Sequence, residues 1–156
     1  MIKQKDSDII GKGISFPIKF SEGKKDQLLD TASGVDVINQ SIRLILGTRI
    51  GERYNNNEFG SNINDLIFEP NDLILKDLLY YSIVTALQRW EKRITILDIN
   101  FDEQSEHLIH IVINYKINST HTVGSYVYPF VRNAMPMSEV IQGTRSFNPT
   151  SANIRK

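Results

Sequence analysis

The sequence predicts an α+β domain in which two main helices pack on one face of a small antiparallel sheet. Apolar residues recur at helical spacing in two stretches before residue 90, and a two-residue alternation replaces that spacing from residue 94 onward. With 156 residues, the chain is long enough to bury its own core as one domain. It contains no cysteine, which excludes disulfides and thiolate metal sites.

The beginning of the chain predicts extended structure followed by a loop. Residues 1–13 are polar and contain glycine, which favours a flexible N-terminal arm. Apolar residues alternate loosely over residues 14–20, but Pro17 cannot donate a ladder hydrogen bond. We therefore expect an edge strand or an extended segment there. The charged residues 21–31 predict a loop.

The two helices are predicted from their apolar stripes. Ser33 is a candidate N-cap of the first helix and Gly47 is its candidate C-cap. The second helix is expected over residues 73–90, with Asn71 or Asp72 as its cap. The residues expected to face the core recur every three or four positions: Val35, Ile38, Ile42, Ile45 and Leu46 in the first helix, and Leu75, Leu79, Ile83, Ala86, Leu87 and Trp90 in the second.

The connection between the helices has two predicted parts. Residues 48–62 predict a long loop, and residues 63–68 predict one or two helical turns. Glu69-Pro70 then ends those turns, because proline restricts the residue before it to an extended conformation.

Three strands are predicted after residue 90. The apolar face of the first strand is expected to consist of Thr95, Leu97, Ile99 and Phe101. The second strand, over residues 109–117, has the clearest alternation, with Ile109, Ile111, Ile113, Tyr115 and Ile117 on one face. The third covers residues 123–130 and ends near Pro129. Residues 131–156 are rich in Pro, Asn, Ser and Thr, which predicts a C-terminal extension that orders only on a partner and leaves 14–130 as the folded domain.

Composition excludes several classes of function. The chain has 18 basic and 18 acidic residues, and this neutral balance argues against a dedicated nucleic-acid binder. The polar N-terminus lacks the apolar core of a signal peptide, and no apolar run approaches the length of a membrane span. We therefore expect the protein to fold in the cytoplasm in which it is made.

Four clusters between residues 51 and 93 combine charge with glycine, proline or large aromatic residues at predicted helix edges. They are Gly51-Glu52-Arg53, Glu58-Phe59-Gly60, Phe68-Glu69-Pro70 and Trp90-Glu91-Lys92-Arg93. Such a combination is typical of a docking surface rather than a solvated face, and the planar fork of arginine suits two-point binding of a carboxylate. The alternatives are a charged helix end with Trp90 in the core, a solvated loop in which Arg53 pairs with Glu52 or Glu58, and a helix breaker at Glu69-Pro70.

The order of these clusters resembles the contractile-tail baseplate wedge family, also named the gene 25-like lysozyme family. The resemblance begins with the Gly-x-Gly-x-Ser-Phe-Pro run at residues 11–17, continues through the clusters above, and ends near Tyr128-Pro129-Phe130. The family carries Glu-Pro-Arg after the tryptophan, whereas this chain has Glu91-Lys92-Arg93. The charged pair is kept here, but the rigid residue between its members is not.

The resemblance implies a structural protein of a contractile tail baseplate that bridges the wedge complex to the tail sheath and templates the first sheath ring. It implies baseplate wedge proteins and the sheath protein as partners, with six copies in the assembled baseplate. Assembly would take place in the host cytoplasm. The final location would be the tail baseplate of a phage or of a related secretion or injection machine.

The residues expected to make contacts fall into three groups: the resemblance implies the wedge and sheath contacts, and the long loop itself indicates a second contact surface. Those expected to dock on the wedge are Trp90, Glu91 and Arg93. A second contact surface would be formed by Glu52, Arg53, Glu58 and Phe59. The sheet edges expected to receive sheath arms lie at residues 16–20 and 123–130, and the second of these edges includes Tyr128 and Phe130.

The alternative function is a peptidoglycan-degrading enzyme of the same machine. Glycoside hydrolysis needs two carboxylates across a cleft, one of them with a raised pKa. The candidates are Glu52, Glu58, Glu69, Asp72 and Glu91, but no pair among them has a spacing that defines a site. A third interpretation is a stand-alone adaptor or regulator on the same fold, since fold does not fix function.

No cofactor or metal is expected. His107 and His110 are three residues apart on or beside a strand and would point to opposite faces, and His121 lies in a predicted turn. The glycines at 11 and 13 follow no predicted strand and open no helix, so they do not form a nucleotide-binding loop.

Overall fold

The computed structural model describes residues 10–18, 20, 29–70, 72–105 and 107–132 of the chain. The elements in chain order are β1 (Lys12–Ile14), β2 (Thr31–Ser33), α1 (Val35–Gly47), a 3₁₀ helix (Ile63–Phe68), α2 (Leu73–Trp90), β3 (Ile94–Ser105), β4 (Leu108–Ile117) and β5 (Val123–Val131). The predicted α+β class is confirmed: α1 and α2 pack against a three-stranded antiparallel sheet of order β3-β4-β5.

The first helix, α1, follows Gly34 rather than Ser33. The prediction of Ser33 as N-cap is wrong. The cap residue Gly34 makes no side-chain capping bond, and Ser33 belongs to β2, where it pairs with Lys12 of β1. The prediction of Gly47 as C-cap is also wrong, because Gly47 is still helical and Thr48 is the C-cap, whose hydroxyl donates to the Leu44 carbonyl at 2.7 Å. The predicted core residues of this helix are buried, apart from Val35, which is 37% exposed.

The second helix, α2, has the predicted bounds. The Asp72 carboxylate accepts a hydrogen bond of 2.9 Å from the Leu75 backbone amide, which confirms Asp72 as the N-cap. The 3₁₀ helix before it confirms the helical turns predicted over residues 63–68. Glu69 is extended at its end, as its position before Pro70 requires.

The central strand β4 determines how the core is built. Its alternate residues Ile109, Ile111, Ile113, Tyr115 and Ile117 are fully buried, as predicted. A pleated strand sends alternate side chains to opposite faces, so this row meets the apolar stripes of both helices in one continuous core. The outer strands flank it, with α1 packed against β5 and α2 against β3.

Strand β3 contains a bulge that changes which residues face the core. Its register against β4 shifts at Leu97, which is the extra residue of the bulge. The prediction that Thr95 and Leu97 share an apolar face with Ile99 and Phe101 is therefore wrong: Thr95 is exposed and Leu97 is 54% exposed. The side chains that face inward are Ile94 and Ile96 before the bulge, and Ile99 and Phe101 after it.

Tyr115 links the sheet to α1 through the core. Its hydroxyl donates a hydrogen bond of 2.7 Å to Asn39 Oδ1 on α1. Its ring lies over Gly124, the facing residue of β5, where an added Cβ would stand 2.7 Å from the ring carbon Cζ. Burial raises the pKa of Tyr115 to about 12, with smaller contributions from Asp36 and Glu91.

The N-terminal segment forms a two-stranded ribbon. Strand β1 pairs antiparallel with β2, and an isolated bridge between Phe20 and Leu29 continues the pairing. The strand expected at residues 14–20 therefore begins earlier and already ends at Ile14, and residues 12 and 13 of the predicted flexible arm belong to β1. Residues 10 and 11 of that arm are also described, whereas 1–9 lie outside the described residues, as does 133–156 of the predicted C-terminal extension. Strand β5 continues through Pro129 to Val131, which an edge strand tolerates.

Candidate functional site

The loop over residues 48–62 is closed at its base by contacts with the end of α1. The Ser61 amide donates to the Thr48 carbonyl at 2.9 Å, and the Ser61 hydroxyl donates to the Leu46 carbonyl at 2.9 Å. Ser61 is 1% exposed, and Arg49 forms a parallel bridge with it. Because both ends of the loop are fixed to each other, its exposed tip is held in position by the loop base.

Gly60 makes this closure possible. Its φ of +119° lies in a region that side-chain-bearing residues rarely adopt. A Cβ at this position would stand 2.3 Å from the Thr48 carbonyl oxygen, which is a backbone atom already engaged with Ser61. The Glu-Phe-Gly cluster therefore contains glycine for the geometry of the loop base.

Glu52 holds the loop from within. Its Oε2 accepts a hydrogen bond of 2.9 Å from the Arg49 backbone amide, and the Gly51 amide donates to the Asn57 carbonyl at 2.8 Å. The Arg49 side chain forms an ion pair with Asp65 of the 3₁₀ helix. The carboxylate of Glu52 thus has an internal partner, and the alternative in which it pairs with Arg53 is not what the structure contains.

A cluster of aromatic and charged side chains joins this loop to the end of α2. We define the aromatic cluster as Arg53, Glu58, Phe59, Arg89 and Trp90. The rings of Phe59 and Trp90 meet edge to face, with centroids 5.2 Å apart and planes at 61°. The Arg53 guanidinium lies 4.6 Å from the Phe59 centroid, and that of Arg89 lies 5.1 Å from the Trp90 centroid. Glu58 forms an ion pair with Arg89.

The aromatic cluster is open to solvent on its charged side. The Glu58 and Arg89 side chains are 71% and 54% exposed, and Arg53 is also exposed. Two clusters that are far apart in the sequence therefore form one surface in the fold. Arg89 was not among the predicted site residues, although its position directly before the tryptophan was the available signal.

An apolar groove lies beside the aromatic cluster, between α2 and the loop. Its volume is about 260 Å³, and its walls include Ile50, Leu66, Leu78, Tyr81, Ala86 and Trp90. Tyr81 is 72% exposed, while Ile50 and Leu78 are each nearly half exposed. Glu58 and Arg89, which form an ion pair, also line it. The sequence signal for this groove was the apolar character of α2 outside its core stripe.

Glu91 and Arg93 turn away from the aromatic cluster and toward the core. Glu91 is 3% exposed, and its carboxylate is bound at both oxygens by one guanidinium: Arg93 Nε donates to Oε1 at 2.7 Å and Nη2 donates to Oε2 at 2.5 Å. Arg93 Nη1 also donates to the Ile10 backbone carbonyl at 3.2 Å. The family's proline between the two charged residues is therefore not required for their pairing. The pair forms here with Lys92 at that position.

The pKa values of this pair indicate that both groups are charged. Burial alone would raise the pKa of the Glu91 carboxyl, but hydrogen bonds from Arg93 and Ser41 and the charge of Arg93 outweigh it and lower that pKa. The hydrogen bonds to Glu91 raise the pKa of Arg93 against a smaller opposing effect of burial. Glu91 is thus a buried anion stabilised within the chain.

Arg93 retains capacity for another contact. A guanidinium carries five N–H groups, and the contacts to Glu91 and Ile10 use one on each nitrogen. The Arg93 side chain is 39% exposed. An oxygen acceptor on a neighbouring protein can therefore bind Arg93 without displacing Glu91.

The predicted site residues on β5 have side chains that are buried or partly buried against the core. Phe130 is 2% exposed and belongs to the core, and Tyr128 packs against that core with a pKa raised by burial. What these two residues leave accessible at the edge of the sheet is therefore mainly backbone. Among the described residues, β5 pairs only with β4, on one of its two sides.

Two other kinds of site, a metal centre and a membrane-spanning helix, are absent from the part of the chain that the structure describes. Within it, no group of three or more histidine, cysteine, aspartate or glutamate residues is arranged to hold a metal ion. None of its helices combines the length and apolar character that crossing a membrane requires.

Comparison with known proteins identifies a family of baseplate proteins to which this chain is similar. The model of the family described as "Baseplate wedge protein gp25" matches residues 32–122, more than half of the chain. A crystal structure described as a tail lysozyme from Geobacter sulfurreducens is 34% identical, covers 67% of this chain and 96% of its own, and has a TM-score of 0.62. None of the curated proteins compared with this chain matches it.

Two baseplate structures of lower identity are also similar. A chain of the anti-feeding prophage baseplate is 20% identical, covers 86% of this chain and 96% of its own, and superposes with a TM-score of 0.58, which shows the same fold. A chain of the postcontracted pyocin R2 baseplate is 20% identical over 73% of this chain and 97% of its own, with a TM-score of 0.46.

Proposed function

The chain belongs to the baseplate wedge protein gp25 family, and from this membership we propose that it bridges the wedge complex to the tail sheath and templates the first sheath ring. Membership makes it a structural component of the baseplate of a contractile tail system, with other baseplate components as partners. In the proposed role, six copies surround the baseplate, and each uses separate surfaces for the wedge and for the sheath.

The aromatic cluster and the groove beside it support a wedge-docking role. The cores of protein interfaces are enriched in tryptophan, other aromatic residues and arginine. Here Trp90, Arg89 and Tyr81 line an open apolar groove, and Phe59 packs on Trp90. The loop closure at Ser61 and the ring contact of Phe59 hold this surface in place before a partner arrives. A surface already ordered in the free protein loses less entropy on binding. This convergence is the observation that carries the proposal.

Arg93 would make a separate polar contact with the wedge, outside the aromatic cluster and its groove. Its guanidinium is oriented by the buried Glu91 carboxylate and is partly exposed. We therefore assign to Arg93 and Glu91 different parts: Arg93 would face the wedge, and Glu91 would fix its direction from within the chain. Glu52 would act in the same indirect way by holding the loop that carries Arg53.

The sheath contact is proposed at β5. An edge strand offers unpaired backbone groups to a strand from another chain. The opposite edge, β3, carries exposed acidic residues such as Asp98 and Asp102, and two register shifts interrupt it. Charges and bulges of this kind protect an edge from pairing. β5 is therefore the better acceptor for a sheath arm, with the N-terminal ribbon at residues 16–20 as the second candidate.

Peptidoglycan hydrolysis has less support, although the Geobacter protein is described as a tail lysozyme. A glycosidase acid must be protonated near neutral pH, which requires a raised pKa. Glu91 is the buried carboxylate of the described residues, and its pKa is lowered. Glu52 and Glu58 are exposed and bind Arg49 and Arg89. These carboxylates have the surroundings of structural anions.

The proposal is tested by co-elution with the wedge and sheath proteins of the same tail. Arg53→Glu reverses an exposed charge over Phe59, and Phe59→Ala removes the ring beneath it. Lys92→Glu is the matched control, because Lys92 is exposed next to the same motif but lines a separate depression with Gln88 and Thr95. Arg93→Glu is unsuitable, since it would place a second carboxylate against buried Glu91.

We expect wild type and Lys92→Glu to co-elute with a wedge protein, and Arg53→Glu and Phe59→Ala to lose about tenfold or more in affinity. Equal binding by all four proteins would remove the aromatic cluster from the interface. If the wild type bound neither the wedge nor the sheath protein, the bridging role itself would be wrong.

A further inference from the structure

The N-terminal ribbon, defined as residues 12–18 and 20 paired with 29–33, carries an unusual amount of exposed apolar surface. Four large apolar side chains at two-residue spacing are more than two-fifths exposed: Ile14, Phe16, Ile18 and Phe20, the last at 77%. Two strands without further support are marginally stable in water. The orientation of these side chains therefore depends on whatever anchors the ribbon to the domain.

Three anchors are visible. Ala32 of β2 is buried, and the Arg43 guanidinium of α1 lies 5.5 Å from the centroid of the Phe16 ring. At the beginning of the ribbon, Ile10 is 6% exposed and its side chain belongs to the core. The Ile10 carbonyl accepts the hydrogen bond from Arg93 Nη1, which connects residues 83 positions apart.

We propose that Arg93 is a positioning residue for the N-terminal ribbon and influences partner binding through the ribbon as well as through its own exposed N–H groups. This inference rests on the proposed function, because it concerns how the chain presents surfaces to baseplate partners. Glu91 holds the guanidinium at two points, and the third nitrogen then fixes the backbone at Ile10.

The chemistry of arginine is specific to this arrangement. The planar fork binds both oxygens of Glu91 and still directs a third nitrogen at a carbonyl on another side. A lysine keeps the positive charge but has a single nitrogen that cannot reproduce all three contacts. Glu91 also accepts a hydrogen bond from Ser41 of α1, so the pair joins α1, the start of β3 and the ribbon at one point.

Hydrogen–deuterium exchange tests the positioning directly and needs no partner. In Arg93→Lys, we expect amides of the ribbon, including Ser15, which donates to the Asp30 carbonyl at 2.9 Å, to exchange about tenfold faster. Amides in α2 and β4 should keep their wild-type rates. Arg89→Lys is the control, because Arg89 is also an arginine paired with a glutamate but contacts no part of the ribbon among the described residues.

Two results would overturn the positioning role. Ribbon amides that exchange at the wild-type rate in Arg93→Lys would show that the Ile10 contact does not order the ribbon. Acceleration spread equally over α2 and β4 would make Arg93 a residue of general stability.

A binding comparison then tests whether the ribbon mediates the effect. Ile10→Ala removes the buried side chain that anchors the ribbon but leaves the Glu91–Arg93 pair intact. We expect Ile10→Ala to weaken binding to the wedge or sheath protein. The change in the logarithm of its dissociation constant should be at least about half of the change caused by Arg93→Lys. Wild-type binding by Ile10→Ala, with weakened binding by Arg93→Lys, would contradict the proposal. Absence of binding in the wild type would overturn the proposed function. The exchange experiment would still show whether Arg93 orders the N-terminal ribbon.

Discussion

Phe59 and Trp90 meet edge to face at 5.2 Å, and this contact fastens the loop after α1 to the C-terminal end of α2. An edge-to-face pair directs the positive ring edge of one residue at the negative face of the other, which stabilises it beyond simple burial. Both rings also face a guanidinium, Arg53 over one and Arg89 over the other. The contact is thus the centre of the surface that we assign to wedge docking.

Replacing Phe59 with alanine should loosen this surface without unfolding the domain. We expect a loss of about 2 kcal/mol in unfolding free energy, because Phe59 is only half-buried and the main core is unaffected. The chain has a single tryptophan, so its fluorescence reports on this contact. The emission should shift to longer wavelength in Phe59→Ala and shift less in Phe59→Leu. Unchanged emission in both variants would mean that the ring contact does not exist in solution.

Gly60→Ala should be among the most destabilising small changes in the chain. The new Cβ would meet the Thr48 carbonyl oxygen at 2.3 Å, and the positive φ adds strain. We expect a loss of about 3 kcal/mol, measured by urea unfolding. Gly47→Ala is the matched control: Gly47 is helical with no atom within 4 Å of an added Cβ, so the change should be neutral or slightly stabilising. Similar losses in both variants would contradict the proposed role of the loop base.

Tyr115→Phe should cost about 1–2 kcal/mol at pH 8, because it leaves Asn39 Oδ1 without the Tyr115 donor. Tyr81→Phe, which removes an exposed hydroxyl, should have little effect. The pKa of Tyr115 is raised from 10.0 to about 12 on folding. The unfolded chain therefore releases this proton first, and stability contributed by Tyr115 is present below pH 10 and lost as pH rises toward 12. The difference between wild type and Tyr115→Phe should narrow over that window in urea unfolding, and a constant difference would argue against the raised pKa.

Glu91→Gln should destabilise the protein near neutral pH by about 2 kcal/mol, less than for a fully buried pair because Arg93 remains partly in water. Folding lowers the pKa of Glu91 below its ordinary 4.5, so its contribution is present above pH 4.5 and is lost as pH falls through the folded value. The thermal unfolding midpoints of wild type and Glu91→Gln should therefore become equal in acid. A difference that stays constant down to pH 2 would show that Glu91 is not held as an anion. Glu58→Gln, at an exposed pair, should change stability by less than about 1 kcal/mol.

The elements that the sequence predicted well are those with uninterrupted periodicity. α2 and β4 have long runs of one period, and burial follows that period residue by residue. The face of β3 was predicted wrongly because the bulge at Leu97 inserts one residue, and the alternation gives no sign of where it does so. Around Leu97, apolar residues occupy both the odd and the even positions, so the sequence pattern permits either face to be the buried one.

The sequence predicted which residues belong to the candidate site, but not which of them face solvent and which lie inside the domain. Aromatic and charged residues next to helix ends identified Phe59, Arg53 and Trp90, which the fold brings together. Local sequence could not show that Glu91 lies inside and is neutralised by Arg93, since the direction of a side chain after a helix end depends on tertiary packing. The contact of Arg93 with Ile10 joins distant segments and left no local pattern.

In assembled particles, the loop tip beside the aromatic cluster should face the wedge. Tyr54 is 97% exposed next to Arg53, so a photocrosslinking phenylalanine analogue at position 54 reports on what lies there without disturbing the core. Asn100, exposed on β3, provides the control position. We predict that irradiation of assembled baseplates crosslinks position 54 to a wedge protein, whereas position 100 gives no such product. Crosslinking to the wedge from position 100 and not from position 54 would contradict the account.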